Sequence, residues 1–200
     1  MAYVGPSWLP QFVQDRTPFL ERIDEVFLGG DALPADGFSE LGSLWNLKTL
    51  DLSFYQVTDA DLKHLQRLTR LKSLTLSDTP ISDQGLTSLK GMASLQFLDL
   101  SNTAVTDAGL EHLKGLSKLN TLWVCDTQIT DAGLVHLKGL VGLDSLELSG
   151  TQVTDGGLVH LIGMSSLKYM SLETTEVTED GRAMLQKALP NCSINPAPHP

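Results

Sequence analysis

An α/β solenoid, right-handed and bent into a horseshoe with a parallel sheet on its concave face and short helices on its convex face, is the fold this 200-residue sequence predicts. Three observations lead there. One residue pattern recurs seven times at a spacing of 24, with nothing inserted or deleted, in frames beginning at Ile23, Leu47, Leu71, Leu95, Leu119, Leu143 and Leu167. Fixed periods of roughly 20 to 30 residues mark solenoids, in which each repeat covers its neighbour's apolar face. Each frame also switches from apolar residues two apart to leucines three apart, so a strand is followed by a helix. Finally, parallel strands stack about 4.8 Å apart while packed helices need about 8–10 Å. The helical side must therefore be longer, and the stack curves with its sheet inside.

The elements follow in chain order. Residues 1–22 read as a helical cap over the open end of the core. Trp8 with Phe12 and Leu9 with Val13 make i,i+4 pairs, and Thr17-Pro18 reads as the N-cap and first residue of a second short helix. Residues 23–190 are the seven repeats, 168 residues as seven times 24. Each opens with L-x-x-L-x-L, as at Leu95, Leu98 and Leu100, where period-two alternation makes a short half-buried strand. A Ser-x-Thr turn comes next (Ser77/Thr79, Ser101/Thr103, Ser149/Thr151), with Cys125 in place of Ser before Thr127. One β-branched residue then points inward: Val57, Ile81, Val105, Ile129, Val153 or Val177.

The second half of each frame reads T-D-A-G-L-x-H-L-K-G in its clearest copies, a helix of about nine residues. Thr106, Thr130 and Thr154 are N-caps whose hydroxyls accept free helix N–H groups. Asp107, Asp131 and Asp155 suit the positive end of the helix dipole, and Lys90, Lys114 and Lys138 its negative end. Gly91, Gly115, Gly139 and Gly163 fit a left-handed position just past the helix. In the last frame Arg182 replaces the expected leucine, and Leu189-Pro190 closes the helix. Residues 191–200 read as a degenerate strand around Asn191–Ile194, with Ile194 at the position of Leu146 and Met170, followed by a disordered proline-rich tail.

On these residues the chain resembles the leucine-rich repeat family. The motif L-x-x-L-x-L-x-x-[N/C]-x-L is carried by Leu71-Leu74-Leu76-Thr79-Ile81, Leu95-Leu98-Leu100-Thr103-Val105 and Leu143-Leu146-Leu148-Thr151-Val153. The I/V-T-D-x-G-L that follows is similar to the cysteine-containing and ribonuclease-inhibitor-like subclasses, in a shortened form common in bacterial proteins. The turn Asn or Cys of that family is Thr from Thr79 to Thr175 here, and Tyr55 and Asp31 in the first two frames. The resemblance implies that this residue hydrogen-bonds turn backbone, a task open to a Thr hydroxyl at shorter reach. Looser turns are expected at Tyr55 and Asp31.

Composition narrows the function. A net charge of −10 and a pI near 4.8 speak against nucleic acid and against an anionic membrane surface, both of which call for Lys and Arg. Cys125 and Cys192 lie about three repeats apart, too far to bridge. No apolar run reaches the roughly 18 residues of a membrane span. The opening MAYVGPSWLPQF lacks a basic stretch and a continuous apolar core, so it is not read as a signal peptide. A soluble, cytoplasmic protein is expected, whole or as a segment of a larger one.

No catalytic motif, metal-ligand spacing or cofactor-binding loop is present. His64, His112, His136 and His160 share one column, but neighbouring helix backbones stand about 8–10 Å apart and no Cys or carboxylate joins them at ligand spacing. Neither metal nor cofactor is expected, and no enzyme. What varies between repeats is the outward strand face, read as Glu25/Phe27, Thr49/Asp51, Ser73/Thr75, Phe97/Asp99, Thr121/Trp123, Ser145/Glu147 and Tyr169/Ser171. Phe97, Trp123 and Tyr169 break its polar pattern, and Asp99, Asp126, Glu147 and Glu173 surround them. Large aromatics on a concave surface are typical binding anchors. The same residues also fit rings lying flat as cross-strand neighbours. Phe54 and Tyr55, at the turn of the second frame, form a weaker second candidate. The expected function is a non-catalytic scaffold binding a protein or peptide on the concave sheet, with the acids selecting a basic partner. The alternative is a glycan stacked on the same rings.

Overall fold

The computed structural model describes residues 24–27 and 37–194. The expected cap over 1–22, the turn at Asp31 and the tail 195–200 lie outside the described residues. Eight strands form one sheet in sequence order: β1 (Glu25–Phe27), β2 (Thr49–Asp51), β3 (Ser73–Thr75), β4 (Phe97–Asp99), β5 (Thr121–Trp123), β6 (Ser145–Glu147), β7 (Tyr169–Ser171) and β8 (Ser193–Ile194). All neighbours are parallel and step by 24 residues, so Leu50 faces Leu74, Leu98 faces Leu122, and Met170 faces Ile194. The open sheet, its in-register leucines and the helices on its other side make the α/β horseshoe that the 24-residue period predicts.

Register follows from the alternation. The middle residue of each strand (Leu50, Leu74, Leu98, Leu122, Leu146, Met170) is buried, and a slip of one residue would turn that column to solvent. Beside it runs a second fully buried column, Leu52, Leu76, Leu100, Val124, Leu148 and Leu172. Together with the helix leucines these form one contiguous core from Val26 to Cys192. Each buried leucine contributes about 1.5–3 kcal/mol relative to exposure.

The helical side is α1 (Gly37–Leu41), α2 (Asp59–Leu65), α3 (Asp83–Leu86), α4 (Asp107–Leu110), α5 (Asp131–Leu134) and α6 (Glu179–Ala188). After α4 and α5 the chain tightens into 3₁₀ turns, Glu111–Gly115 and Val135–Gly139, while the sixth repeat has only the 3₁₀ turn Gly157–His160. In the third to fifth repeats the nine-residue segment is therefore α-helical in its first turn alone, whereas α2 and α6 stay α-helical throughout. Leucines at Leu110, Leu113 and Leu116 recur every three residues, which is the 3₁₀ repeat rather than the α repeat of 3.6.

That tightening corrects the expectation for the glycine column. Gly91, Gly115, Gly139 and Gly163 are not left-handed, since the non-glycine left-handed residues and Gly150 account for every positive φ among the described residues. The 3₁₀ turns close through Leu116 (φ −84°) and Leu140 (φ −86°), whose N–H groups bond the carbonyls of Leu113 and Leu137, three residues back. Such a closure needs no left-handed residue. The left-handed column lies instead in the turn after the strand, at Phe54, Asp78, Asn102, Asp126, Gly150 and Thr174, with φ between 52° and 70°. In the same turn the Thr79, Thr103, Thr127, Thr151 and Thr175 hydroxyls donate to the carbonyl three residues earlier at 2.6–2.7 Å.

The aspartate column likewise does more than face a helix dipole. Asp59, Asp83, Asp107, Asp131 and Asp155 reach across to the cap residue of the following repeat. Their Oδ1 atoms accept the backbone N–H of Ser82, Thr106, Thr130, Thr154 and Thr178 at 2.7–2.9 Å. The other carboxylate oxygen accepts the same residue's hydroxyl, as Asp83 Oδ2 does from Thr106 at 2.7 Å. Thr130 Oγ1 in turn accepts the N–H of Ala132, so one hydroxyl joins the carboxylate behind it to the helix ahead. Glycine is required beside each carboxylate. A Cβ at Gly133 would fall 2.4 Å from Asp107 Oδ1, and one at Gly109 equally close to Asp83 Oδ1.

Candidate functional site

The outward strand face is built by the residues flanking each buried middle leucine. Thr49, Ser73, Thr75, Thr121, Ser145 and Ser171 give it a small, half-exposed polar texture. Phe97 and Trp123 interrupt it on β4 and β5. They are diagonal neighbours, since Phe97 pairs with Thr121 and Trp123 with Asp99. Diagonal placement lets the rings meet edge to face, with centroids 5.0 Å apart and planes at 76°. In that arrangement the positive ring edge meets the negative face of its partner. Phe97 is half-buried, while Trp123 keeps 39 % of its surface exposed. The structure thus brings two of the three aromatics together. Tyr169 stands on β7, beyond β6, and is 62 % exposed.

The acids divide by what holds them. Asp99 is only 6 % exposed, and its Oδ1 accepts the N–H of Ser101 at 2.9 Å. Glu147 does the same for Ser149 at 3.2 Å and also accepts that serine's hydroxyl. Asp51 serves Ser53 in the second repeat. An acid two residues before a serine, repeated in three frames, is a turn signature legible in the chain. It escapes notice when the acids are read only for charge. Asp126 sits exposed in the left-handed turn at φ 53°, and the absence of a Cβ at Gly150 makes room for its carboxylate. Glu173 is exposed, and its carbonyl accepts the N–H of Gly150 at 2.9 Å.

Cys125 lies within the electrostatic reach of three of these acids, Glu147, Asp99 and Asp126. It is half-buried, at the turn position that serine fills in four other repeats, Ser53, Ser77, Ser101 and Ser149. Burial pushes its thiol up to about 11, and the charges of Glu147, Asp99 and Asp126 push the same way against a hydrogen bond with Ser101. A thiol held protonated at neutral pH is a poor nucleophile. The arrangement therefore offers an aromatic ledge beside concentrated negative charge. Among the described residues no three His, Cys, Asp or Glu side chains come together as a metal site. The histidines stay dispersed along the helical side, and the Nδ1 atoms of His112 and His160 are buried without a partner. No helix among the described residues is long and apolar enough to cross a membrane.

Two features escape the sequence reading. Val135, Val141, Val159, Ile162 and Met184 expose an apolar surface on the helical side of the later repeats. A polar cleft also opens between α1 and α2, where the repeat columns change. Phe54, foreseen as a secondary candidate, is 77 % exposed in a left-handed turn, while Tyr55 packs against the core.

Comparisons with known proteins agree with the architecture. A leucine-rich repeat family model matches residues 45–105. Among solved structures, internalin C2 of Listeria monocytogenes is similar with a TM-score of 0.72 and 29 % identity, over 88 % of this chain and 71 % of that one. Another internalin of the same organism (inlF) has a TM-score of 0.64 and 23 % identity, over 80 % of this chain and 51 % of its own. A leucine-rich repeat protein of Leptospira interrogans has a TM-score of 0.61 and 20 % identity, over 86 % and 48 %. The chain thus spans about half the length of the latter two, which share its fold. No match is found among curated protein sequences.

Proposed function

The chain is a leucine-rich repeat protein, and from that premise we propose that it is a non-catalytic scaffold whose concave sheet binds a protein or peptide. Repeat solenoids create extended concave surfaces, and the fold is a common protein-interaction scaffold. The observation that supports this site is the Phe97–Trp123 edge-to-face pair on an otherwise small and polar strand face. A rigid, partly exposed aromatic pair supplies contact area at little cost in side-chain entropy. Asp126, Glu147 and Glu173 border it, and Asp99 adds its charge from beneath. A segment carrying Lys or Arg is the preferred partner, its cation lying over Trp123 toward these carboxylates. Tyr169 extends the surface across β7.

The test is capture of partner proteins from the native lysate by wild type and by a Phe97→Ala/Trp123→Ala variant. The variant is expected to lose the captured partner while its circular dichroism stays that of wild type. Retention of the same partner by the variant would remove these rings from the site. Screening both forms on a glycan array decides the alternative ligand, because ring-dependent glycan signals without protein capture would favour a sugar.

A further inference from the structure

The cleft between α1 and α2 lies on the helical side, away from the strand face, and depends on none of the residues proposed above. It holds about 420 Å³ and is lined by Ser39, Gly42, Ser43, Lys63, His64, Gln66 and Arg67. That volume falls within the roughly 300–1,000 Å³ of small-molecule sites, but the lining is polar and basic where such sites are usually apolar.

The cleft exists because two columns depart from the repeat. Gly42 occupies the position of Lys90, Lys114 and Lys138, and a Cβ there would fall 2.1 Å from the carbonyl oxygen of His64. Its missing side chain brings α1 close against α2 and leaves space beside the contact. Arg67 occupies the position that is Gly91, Gly115, Gly139 and Gly163 in later repeats. Lys63 and His64 lie in the last turn of α2, where the helix dipole alone accounts for cations. The dipole does not account for Arg67, which lies beyond the helix.

The charge is locally reversed. The chain carries 24 acidic residues against 14 Lys and Arg, yet no carboxylate lines this cleft. Among the described residues the ion pairs are Lys48–Asp24, Lys114–Glu111 and Lys168–Asp144, so Lys63 and Arg67 remain available. The nearby acids Asp59 and Asp61 of α2 are occupied by Ser82 and Thr58. Glu40 stands on α1, and its carbonyl accepts the Ser43 hydroxyl at 2.6 Å.

We propose that this cleft binds a phosphorylated small molecule, with Arg67 and Lys63 on the phosphate oxygens and Ser39 and Ser43 presenting hydroxyls. Arg supplies a planar fork matched to an oxyanion and Lys a mobile point charge. Calorimetric titration with inorganic pyrophosphate, with sodium sulfate as a second arm, tests it. Wild type should give saturable one-to-one binding of pyrophosphate and a higher melting temperature in its presence. Lys63→Gln/Arg67→Gln should weaken that binding by roughly tenfold or more per lost contact. Both residues are exposed, so the variant should keep the wild-type circular dichroism. Lys90→Gln/Lys114→Gln, which removes equal charge from the same side of the solenoid, should bind as wild type does. Sulfate binding as tight as pyrophosphate would assign the site to oxyanions generally and overturn the preference for phosphate. Absence of saturable binding at millimolar pyrophosphate, or equal weakening in both double variants, would overturn the site itself.

Discussion

Along the cap edge successive repeats make the same bonds, whereas along the strand face they present different side chains. From Asp83 to Thr106, Asp107 to Thr130 and Asp131 to Thr154 the same carboxylate meets the same cap residue beside the same glycine. On the strand face the equivalent positions carry Thr75, Asp99, Trp123, Glu147 and Ser171. The contrast separates two uses of a column. A residue whose polar atoms are matched across the repeat boundary cannot vary without breaking two repeats. A residue pointing outward from the sheet answers only to what lies outside.

The largest test of that contrast is at the cap edge. Gly133→Ala should lower stability by about 2–3 kcal/mol in urea denaturation, because its Cβ displaces the Asp107 carboxylate and strips Thr130 of two bonds. A wild-type midpoint would show that the carboxylate can move aside at no cost. Asp107→Ala removes the same bonds without the clash and should cost about 1–3 kcal/mol. On the strand face, Phe97→Ala/Trp123→Ala should cost the pairing of the two rings, about 0.5–1.5 kcal/mol, together with the apolar area that each partly covered ring buries. A loss beyond about 5 kcal/mol, in the range of fully buried aromatic truncations, would make the rings structural rather than available.

Titration sharpens the comparison with smaller effects. The Cys125 thiol is raised from its ordinary value of 9.0 to about 11, so the folded state disfavours the thiolate. The resulting stability is complete below the unfolded value and is lost as pH rises from about 9 through about 11. In a Cys192→Ser background, adding Cys125→Ser should flatten the fall of melting temperature over that alkaline window; an unchanged fall would assign it to other groups. At the cap edge, hydrogen bonds from the Thr178 hydroxyl and N–H hold the Asp155 carboxyl below the usual carboxylate range. That contribution is present above the unfolded value of about 3.9 and is lost as pH falls through the lowered folded one. Acid melting curves of Asp155→Asn should accordingly converge on wild type at the lowest pH and fall below it near neutrality.

The smallest effect is expected at Gly139. Nothing lies within 4 Å of the position a Cβ would take, and its backbone is not left-handed. Gly139→Ala should therefore gain about 0.4–1 kcal/mol, whereas a left-handed cap would lose stability.

Strand register, the buried leucine columns and the horseshoe were legible in the chain because apolar periodicity responds to burial alone. Leu98 and Leu100 announce a strand whatever lies beside them. The Phe97, Trp123 and Tyr169 exceptions were legible in the same way, by subtraction from a polar column. What escaped were relations between columns. Thr106 reads as an N-cap from its own repeat, but its bond to Asp83 belongs to the repeat before. Gly109 reads as a helix residue, but its reason is the carboxylate lying against it. The glycines after each helix suggested a left-handed end because their neighbours suited an α cap, and the 3₁₀ closure displaced it.

The period, the parallel stacking and the identity of each outward residue were readable from the chain, since all depend on spacing along it. Which outward residues meet depends on how the repeats pack in three dimensions. Phe97 touches Trp123 because parallel pairing sets them diagonal across β4 and β5, and Tyr169 is held apart by the intervening β6. Asp99 was sheltered and Asp126 left open by the turn between strand and helix. Distances between residues 24 apart are set by how repeats pack, and packing is a property of neighbours rather than of any one repeat.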